Sequence, residues 1–314
     1  MNKAFLLPLL AVAAACGDLE APQGTTDVDF AAAVVEEEAK FVDMANDLLA
    51  EAGSEHRIAY AEFLTAEATG HEATKNIIFA RDLGNKRLDI NFIPGDPRRA
   101  GGDGDPNTID TWVDLTGGAT ESGLTTPETT DAIARAMTTW DDQLCSDLGM
   151  NVFGAGVDLG LVQAILGFGG GLVTSDIMHA GWLPGAFFDL LRPDGSQSIL
   201  GVTFTLTFTE GDLDGNGLAD LGAREIYYND AFNWADDGSS NFDVETVALH
   251  EAGHALSQAH FGKIFANPNS GKVVFSPLAV MNASYSRVNR TLEGTDGAGH
   301  CSSWGSWPNL TGKK

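Results

Sequence analysis

A chain of 314 residues, 43% hydrophobic and 20% charged, can bury one large core or two modest ones, which excludes disorder throughout. Its 44 acidic residues against 18 basic ones leave a formal net charge of -26. Nucleic acid and anionic membrane surfaces are thereby excluded as partners, because phosphate binding needs a concentrated Lys/Arg patch. The same acidic excess suits hard divalent cations, whose ligands are carboxylate oxygens.

Residues 1–15 read as an export signal: Lys3, an apolar run from Ala4 to Ala15, and small residues before Cys16. Two readings of Cys16 stand side by side. The residues before it resemble a bacterial lipoprotein cleavage site, with Cys16 the acylated N-terminus, although Ala13 stands where leucine is commonest; alternatively, ordinary cleavage leaves a free thiol. Lipidation leaves Cys145 and Cys301 as an even pair in an oxidising compartment, where a bridge is expected; the alternative is two separately buried thiols. No later segment approaches the ~18 to 20 uninterrupted apolar residues of a transmembrane helix, so a lipid is the only membrane attachment expected.

Helical spacing of Val34, Val35, Phe41, Met44, Leu48 and Leu49 predicts a helix from Asp29 to Ala52, stopped by Gly53. A second short helix is expected from Ser54 to Ala68, then short strands over Asn76 to Ala80 and Leu88 to Ile93. Gly, Pro and Asp make Pro94 to Pro106 a loop. Thr126-Pro127-Glu128 supplies a cap, a first-turn proline and an acidic first turn for a helix from about Pro127 to Leu144. The Gly-rich stretch 152–173 contains GFGGG but no following Gly-Lys-Ser/Thr, so it reads as a flexible connection and not a phosphate loop. Period-two alternation predicts a strand from Ile199 to Thr209, and Glu225 to Tyr228 is a second candidate.

Between those strands, Asp212, Asp214, Asn216 and Asp220 stand at positions one, three, five and nine of a calcium loop, with Gly217 at six and a Leu218 carbonyl available. Ala223 replaces the usual glutamate at twelve, leaving Asp230 or Glu225 as substitutes; a solvated acidic turn is the alternative.

Val244 to Ala259 has helical spacing, with Asp243 as N-cap. Within it, His250 and His254 lie four residues apart, about 40° round a helix and roughly 6 Å along it, so both imidazoles reach one metal. Glu251 can address a water on that metal without becoming a ligand. A catalytic zinc needs a third protein ligand and an open position. Between Ala252 and Leu292 there is no Asp, Glu or Cys, and His260 is the only further histidine. On a continuous helix His260 would sit about 600° past His254, facing away, so the helix must end between them.

HEAGHALSQAH resembles the extended zinc signature of metzincins, HExxHxxGxxH, and differs at one fixed position, where Ser257 replaces glycine. Further text is similar to matrixin-type catalytic domains over roughly residues 80–310: the helix ending in Trp140, EIYYNDAFNW, and VETVALHEAGHAL. The resemblance implies an α+β fold in which residues 81–314 form the protease domain, with a twisted mixed sheet, a zinc-binding active-site helix and a small irregular C-terminal subdomain. Residues 16–80 precede it as a helical segment. It further implies one catalytic Zn²⁺ on His250, His254 and His260, Glu251 as general base, and Met281 as the methionine turn beneath the metal. Glu225 to Tyr228 would be the edge strand that pairs with extended substrate. No cysteine-containing inhibitory switch is visible.

Asp176 and His179 resemble part of a matrixin structural zinc site whose remaining histidines are not recognisable, so a second zinc is not expected. Tyr285 reads as a buried structural tyrosine or an oxyanion donor, and His56, His71 and His300 as surface or hydrogen-bonded histidines. The expectation is a monomeric, exported or lipid-anchored zinc endopeptidase acting on proteins or peptides, with structural Ca²⁺. A catalytically silent zinc module and an accidental signature are the competing readings, and Glu251 and Met281 respectively speak against them.

Overall fold

The computed structural model describes residues 40–67, 77–78, 92–99, 104–171, 175–239, 241–266 and 273–309. The export signal, Cys16, His71, the first part of the predicted N-terminal helix and most of the predicted strand at 88–93 lie outside them; Phe92 and Ile93 are irregular. Among the described residues no helix is long and apolar enough to cross a membrane.

Helix α1 (residues 40–51) buries Phe41, Val42, Ala45 and Leu49 on one stripe. Gly53 at φ 71° closes it, with Ser54 N–H donating to Leu49 O and Gly53 N–H to Ala50 O, a Schellman stop. Helix does not resume at Ser54. Residues His56–Thr65 form strand β1, correcting the expected second helix. Their apolar residues suit either period, and pairing along a neighbouring strand decides the outcome, because both faces of β1 are then covered.

The sheet is mixed and seven-stranded, in the order β2-β1-β6-β7-β5-β3-β4. Its other members are β2 (Ile77–Ile78), β3 (Ile109–Asp114), β4 (Met150–Ala155), β5 (Ile177–Leu183), β6 (Ile199–Phe208) and β7 (Leu221–Asn229). Strands β4, β3, β5 and β7 are mutually parallel, β6 is antiparallel to β7, and β1 is antiparallel to β6. The strand expected at Glu225 to Tyr228 is therefore β7, and it is interior, between β6 and β5. It cannot be the substrate-pairing edge, because its backbone groups are used on both sides.

Helix α2 (Thr126–Asp141) starts on a Thr125–Glu128 capping box and ends earlier than the expected Leu144. Residues 152–173, expected to be a flexible connection, contain the end of β4 and the short helix α3 (Leu161–Ile165). Two buried carboxylates order it: Asp114 accepts from Leu159 N–H, and Glu225 from Leu161 and Val162 N–H. Next come α4 (Gly185–Leu191), α5 (Gly195–Ser198), the two-residue pair β8 (Trp234–Ala235) and β9 (Phe242–Asp243), and α6 (Val244–Ala255). The hairpin β10 (Lys263–Ala266) and β11 (Val273–Ser276) and helix α7 (Gly294–Trp304) complete the order.

Both faces of the sheet are covered. Successive residues of β7 point to opposite sides: Ile226 and Tyr228 join a core with α2, α6 and Trp304, while Tyr227 joins one with α1, α3 and α4. Trp140 of α2 donates its indole N–H to Leu249 O (2.9 Å), fixing α2 against α6. A Cys145–Cys301 disulfide, Cα atoms 5.5 Å apart, ties the end of α2 to α7, so the pair expected to be bridged is bridged.

Candidate metal centre

Helix α6 begins where Asp243 accepts from Thr246 N–H (2.8 Å). It stops after Ala255, short of the Ala259 expected from spacing, in a second Schellman turn: Ser257 N–H donates to His254 O and Gln258 N–H to Gly253 O, both 2.9 Å. Ser257 holds the left-handed position at φ 65° that the sequence pattern reserves for glycine. A non-glycine residue there costs on the order of 1 kcal/mol. The buried guanidinium of Arg224, reaching from β7, offsets it by donating to His254 O and to Ser257 Oγ (3.3 Å), and Trp304 Nε1 donates to Leu256 O (2.8 Å).

This bend brings the three histidines together. His254 Nε2 lies 3.0 Å from His250 Nε2 and 3.1 Å from His260 Nε2. The outer nitrogens of two of the rings face carbonyls, His250 Nδ1 on Val280 O (2.7 Å) and His254 Nδ1 on Gln258 O (2.8 Å). Such acceptors hold the proton on Nδ1 and turn the Nε2 lone pairs toward one point. Three lone pairs converging in a buried space repel one another unless a cation sits between them. Imidazole nitrogens bind zinc at about 2.0–2.1 Å, which suits a ligand cage of this size. Burial and the neighbouring imidazoles hold His250 and His260 well below the ordinary histidine range, in the neutral form that ligates.

Glu251 is buried beside them. Its Oε1 accepts from Leu64 N–H (3.2 Å) and its Oε2 from Thr203 Oγ1–H (2.7 Å). Burial raises its pKa to about 7 against the opposing pull of His254 and these hydrogen bonds, poising it near neutrality. Gly201 on β6 permits the approach, since a Cβ there would press on the Glu251 side chain at 3.1 Å.

Met281 is buried beneath the site, against Gly253 of α6. Its turn is pinned by Asp296, whose carboxylate accepts from Val280 N–H (2.9 Å) and Met281 N–H (3.2 Å), and by Phe261 N–H donating to Met281 O (2.7 Å). Tyr285 is half-buried with its hydroxyl 3.3 Å from Asp243 N–H, at the start of α6, which is a structural position.

Sequence reasoning missed Glu62, Arg224 and Asp296. Glu62 is buried on β1 with Oε2 3.0 Å from His254 Nδ1; burial presses His254 down, yet the Glu62 and Glu251 carboxylates bring it above its ordinary value. No local signal marks Glu62 or Arg224, since each reaches the site across the sheet. Asp296 could have been found as the third residue of the α7 capping box.

The other singled-out residues fall elsewhere. Oxygens of Asp212, Asp214 and Asp220 lie within 4.8 Å of one another, and Asp212 accepts from Asn216 and Gly217 N–H. The Asn216 amide donates to Asp214 (2.9 Å), its Oδ1 accepts from Leu218 N–H (2.7 Å), and Asp220 pairs with Arg98. The two substitutes for the missing glutamate are engaged away from the loop, Glu225 on α3 and Asp230 on Glu121 N–H (2.8 Å). Asp176 pairs with Arg99 (2.7 Å), and His179 Nδ1 meets Tyr228 Oη (2.7 Å). His300 packs on Trp140 and His56 on Phe208.

No protein-family model matches the chain, and no curated protein is significantly similar to it.

Proposed function

We propose that this chain is a zinc-dependent endopeptidase of the metzincin type, with zinc held by His250, His254 and His260. The observation that carries the reading is the convergence of three Nε2 atoms, those of His250 and His254 on buried rings, beside the buried carboxylate of Glu251. His250, His254 and His260 would hold the zinc, which when bound would supply polarisation of a water and of the scissile carbonyl. Glu251 takes the proton of the attacking water and passes it to the departing amine. Thr203 orients the carboxylate, Val280 and Gln258 carbonyls hold two of the ligating rings, and Met281 and Gly253 form the floor. Substrate proteins meet the chain outside the cytoplasm, the export signal directing it there and an acylated Cys16 anchoring it. Calcium on Asp212, Asp214, Asn216, Leu218 and Asp220 would brace the β6–β7 connection at the expense of the Arg98 ion pair.

The test is metal analysis joined to peptide hydrolysis, followed to constant rate. Wild type is expected to carry one zinc in the histidine site and to cleave casein-derived peptides. Glu251→Ala keeps the zinc and loses activity by ~10³-fold or more, the scale of a lost general base together with its orientation of water. Equal cleavage by both proteins refutes the role of Glu251.

A further inference from the structure

Without β1, strand β6 would be the sheet edge lying over α6. β1 runs antiparallel to β6 from His56↔Phe208 to Thr65↔Ile199. At its far end it is held on the other side too: Thr65 N–H donates to Ala283 O (3.2 Å), and Thr65 O accepts from Tyr285 N–H (2.8 Å), a parallel bridge opposite Ser284. Main-chain pairing on two sides is how an extended peptide is gripped in a groove. Where the two rails meet, Leu64 lines a pocket with His250, Val280, Ser284 and Tyr285. Its N–H is the one that donates to Glu251 Oε1.

Peptide hydrolysis requires a proton at the departing nitrogen, and the base that delivers it must reach that atom. The amide nitrogen within reach of Glu251 belongs to Leu64, so the bond presented is Phe63–Leu64. Both residues are almost wholly buried, and α1 packs with Phe63 in the core on the opposite face of the sheet, so the bond is hidden from other proteases while lying against this chain's own base.

Resting on the peptidase reading, we propose that β1 is a built-in substrate: the intact chain is latent toward other peptides, and it is cut in cis between Phe63 and Leu64. Water oxygen adds to the Phe63 carbonyl carbon and the C–N bond breaks with its electron pair on nitrogen. Glu251 carries one proton of the water to that nitrogen and the second follows from the new carboxyl group, leaving a Phe63 carboxylate and a Leu64 ammonium group with no change of oxidation state.

The experiment follows the full chain, zinc-loaded, as wild type and as Glu251→Ala. Intact mass and N-terminal analysis are recorded with cleavage of an added fluorogenic peptide, and hydrogen exchange is measured on the Glu251→Ala chain. Wild type is expected to gain a new N-terminus at Leu64, at a rate independent of dilution, while cleavage of the added peptide rises in step by at least about tenfold as the groove empties. Glu251→Ala stays whole, and its amides at 61–63 and 65 exchange as slowly as those of β6, Leu64 N–H being left out because the substitution removes its acceptor. Wild type that stays whole while cleaving added peptide at full rate from the outset overturns the inference and leaves the peptidase reading intact. A new terminus at another bond, with fast exchange at 61–63 and 65, also overturns it. Zinc-loaded wild type that cuts neither itself nor any added peptide removes both.

Discussion

Asp296 touches none of the histidines, yet it governs where one of them points. Its carboxylate holds the Val280 and Met281 N–H groups, and the Val280 carbonyl in turn receives His250 Nδ1–H. Removing such a supporting group typically costs 10- to 100-fold in metal affinity, about 1.4 to 2.8 kcal/mol. Asp296→Ala is expected to weaken zinc binding by that factor in a chelator competition; unchanged affinity would show that the Val280 carbonyl keeps its place unaided. Ser257 makes a related point. The resemblance to the metzincin signature marks it as a departure from glycine, whereas the folded chain gives its hydroxyl a partner in Arg224 and closes the turn around it with Ser257 N–H on His254 O and Gln258 N–H on Gly253 O. His250, His254 and Glu251 were legible because their spacing on one helix is itself the geometry, His260 because no other donor stands between Ala252 and Leu292, and Met281 through the family resemblance. Glu62 and Arg224 were not, since they reach the site from strands far away in the chain.

Helix α6 is the element on which the site is built, and Gly253 shows how closely it is packed. On an exposed helix, Gly→Ala gains about 1 kcal/mol from reduced backbone freedom. Here the added methyl would collide with Met281 Sδ and approach Trp140 within 2.9 Å. Overpacking of this kind costs about 1–3 kcal/mol. Gly253→Ala is therefore expected to destabilise the chain by a net of up to about 2 kcal/mol in urea unfolding, and a stabilised variant would mean that the Met281 turn yields freely. Elements with self-contained signals matched expectation in kind, namely α2, whose cap is Thr125 one residue before the expected Thr126, and β6 with its alternation. β1 did not match: its apolar residues suit either period, and antiparallel pairing with β6 settles the choice. The connection 152–173 was misread for a similar reason, because Asp114 and Glu225, the groups that order it, lie outside the segment.

Over the whole molecule, the buried histidines couple stability to acid. Burial depresses His179 to about 3 and His300 to about 4, so the folded chain keeps both neutral where the unfolded chain, titrating near 6.5, takes up protons. Their contribution is complete above pH 6.5 and is lost as pH falls toward 3. For His179 the loss between pH 6.5 and 5 is about 2 kcal/mol, from about 1.4 kcal/mol per pH unit. His179→Gln should flatten the dependence of the unfolding free energy on pH by that amount over this interval; parallel curves would assign the acid sensitivity to other groups. Local order in the chain determined the Asp243 cap of α6, the alternating strand, the cysteine pair and the spacing of the three imidazoles with Glu251, because each depends on residues close together or on simple counting. Only the tertiary structure decided that β7 is interior, that β1 is a strand lying over Glu251, and that Arg224 and Glu62 meet His254. Those outcomes depend on which strand pairs with which, and pairing energy is shared between segments that carry no local record of one another.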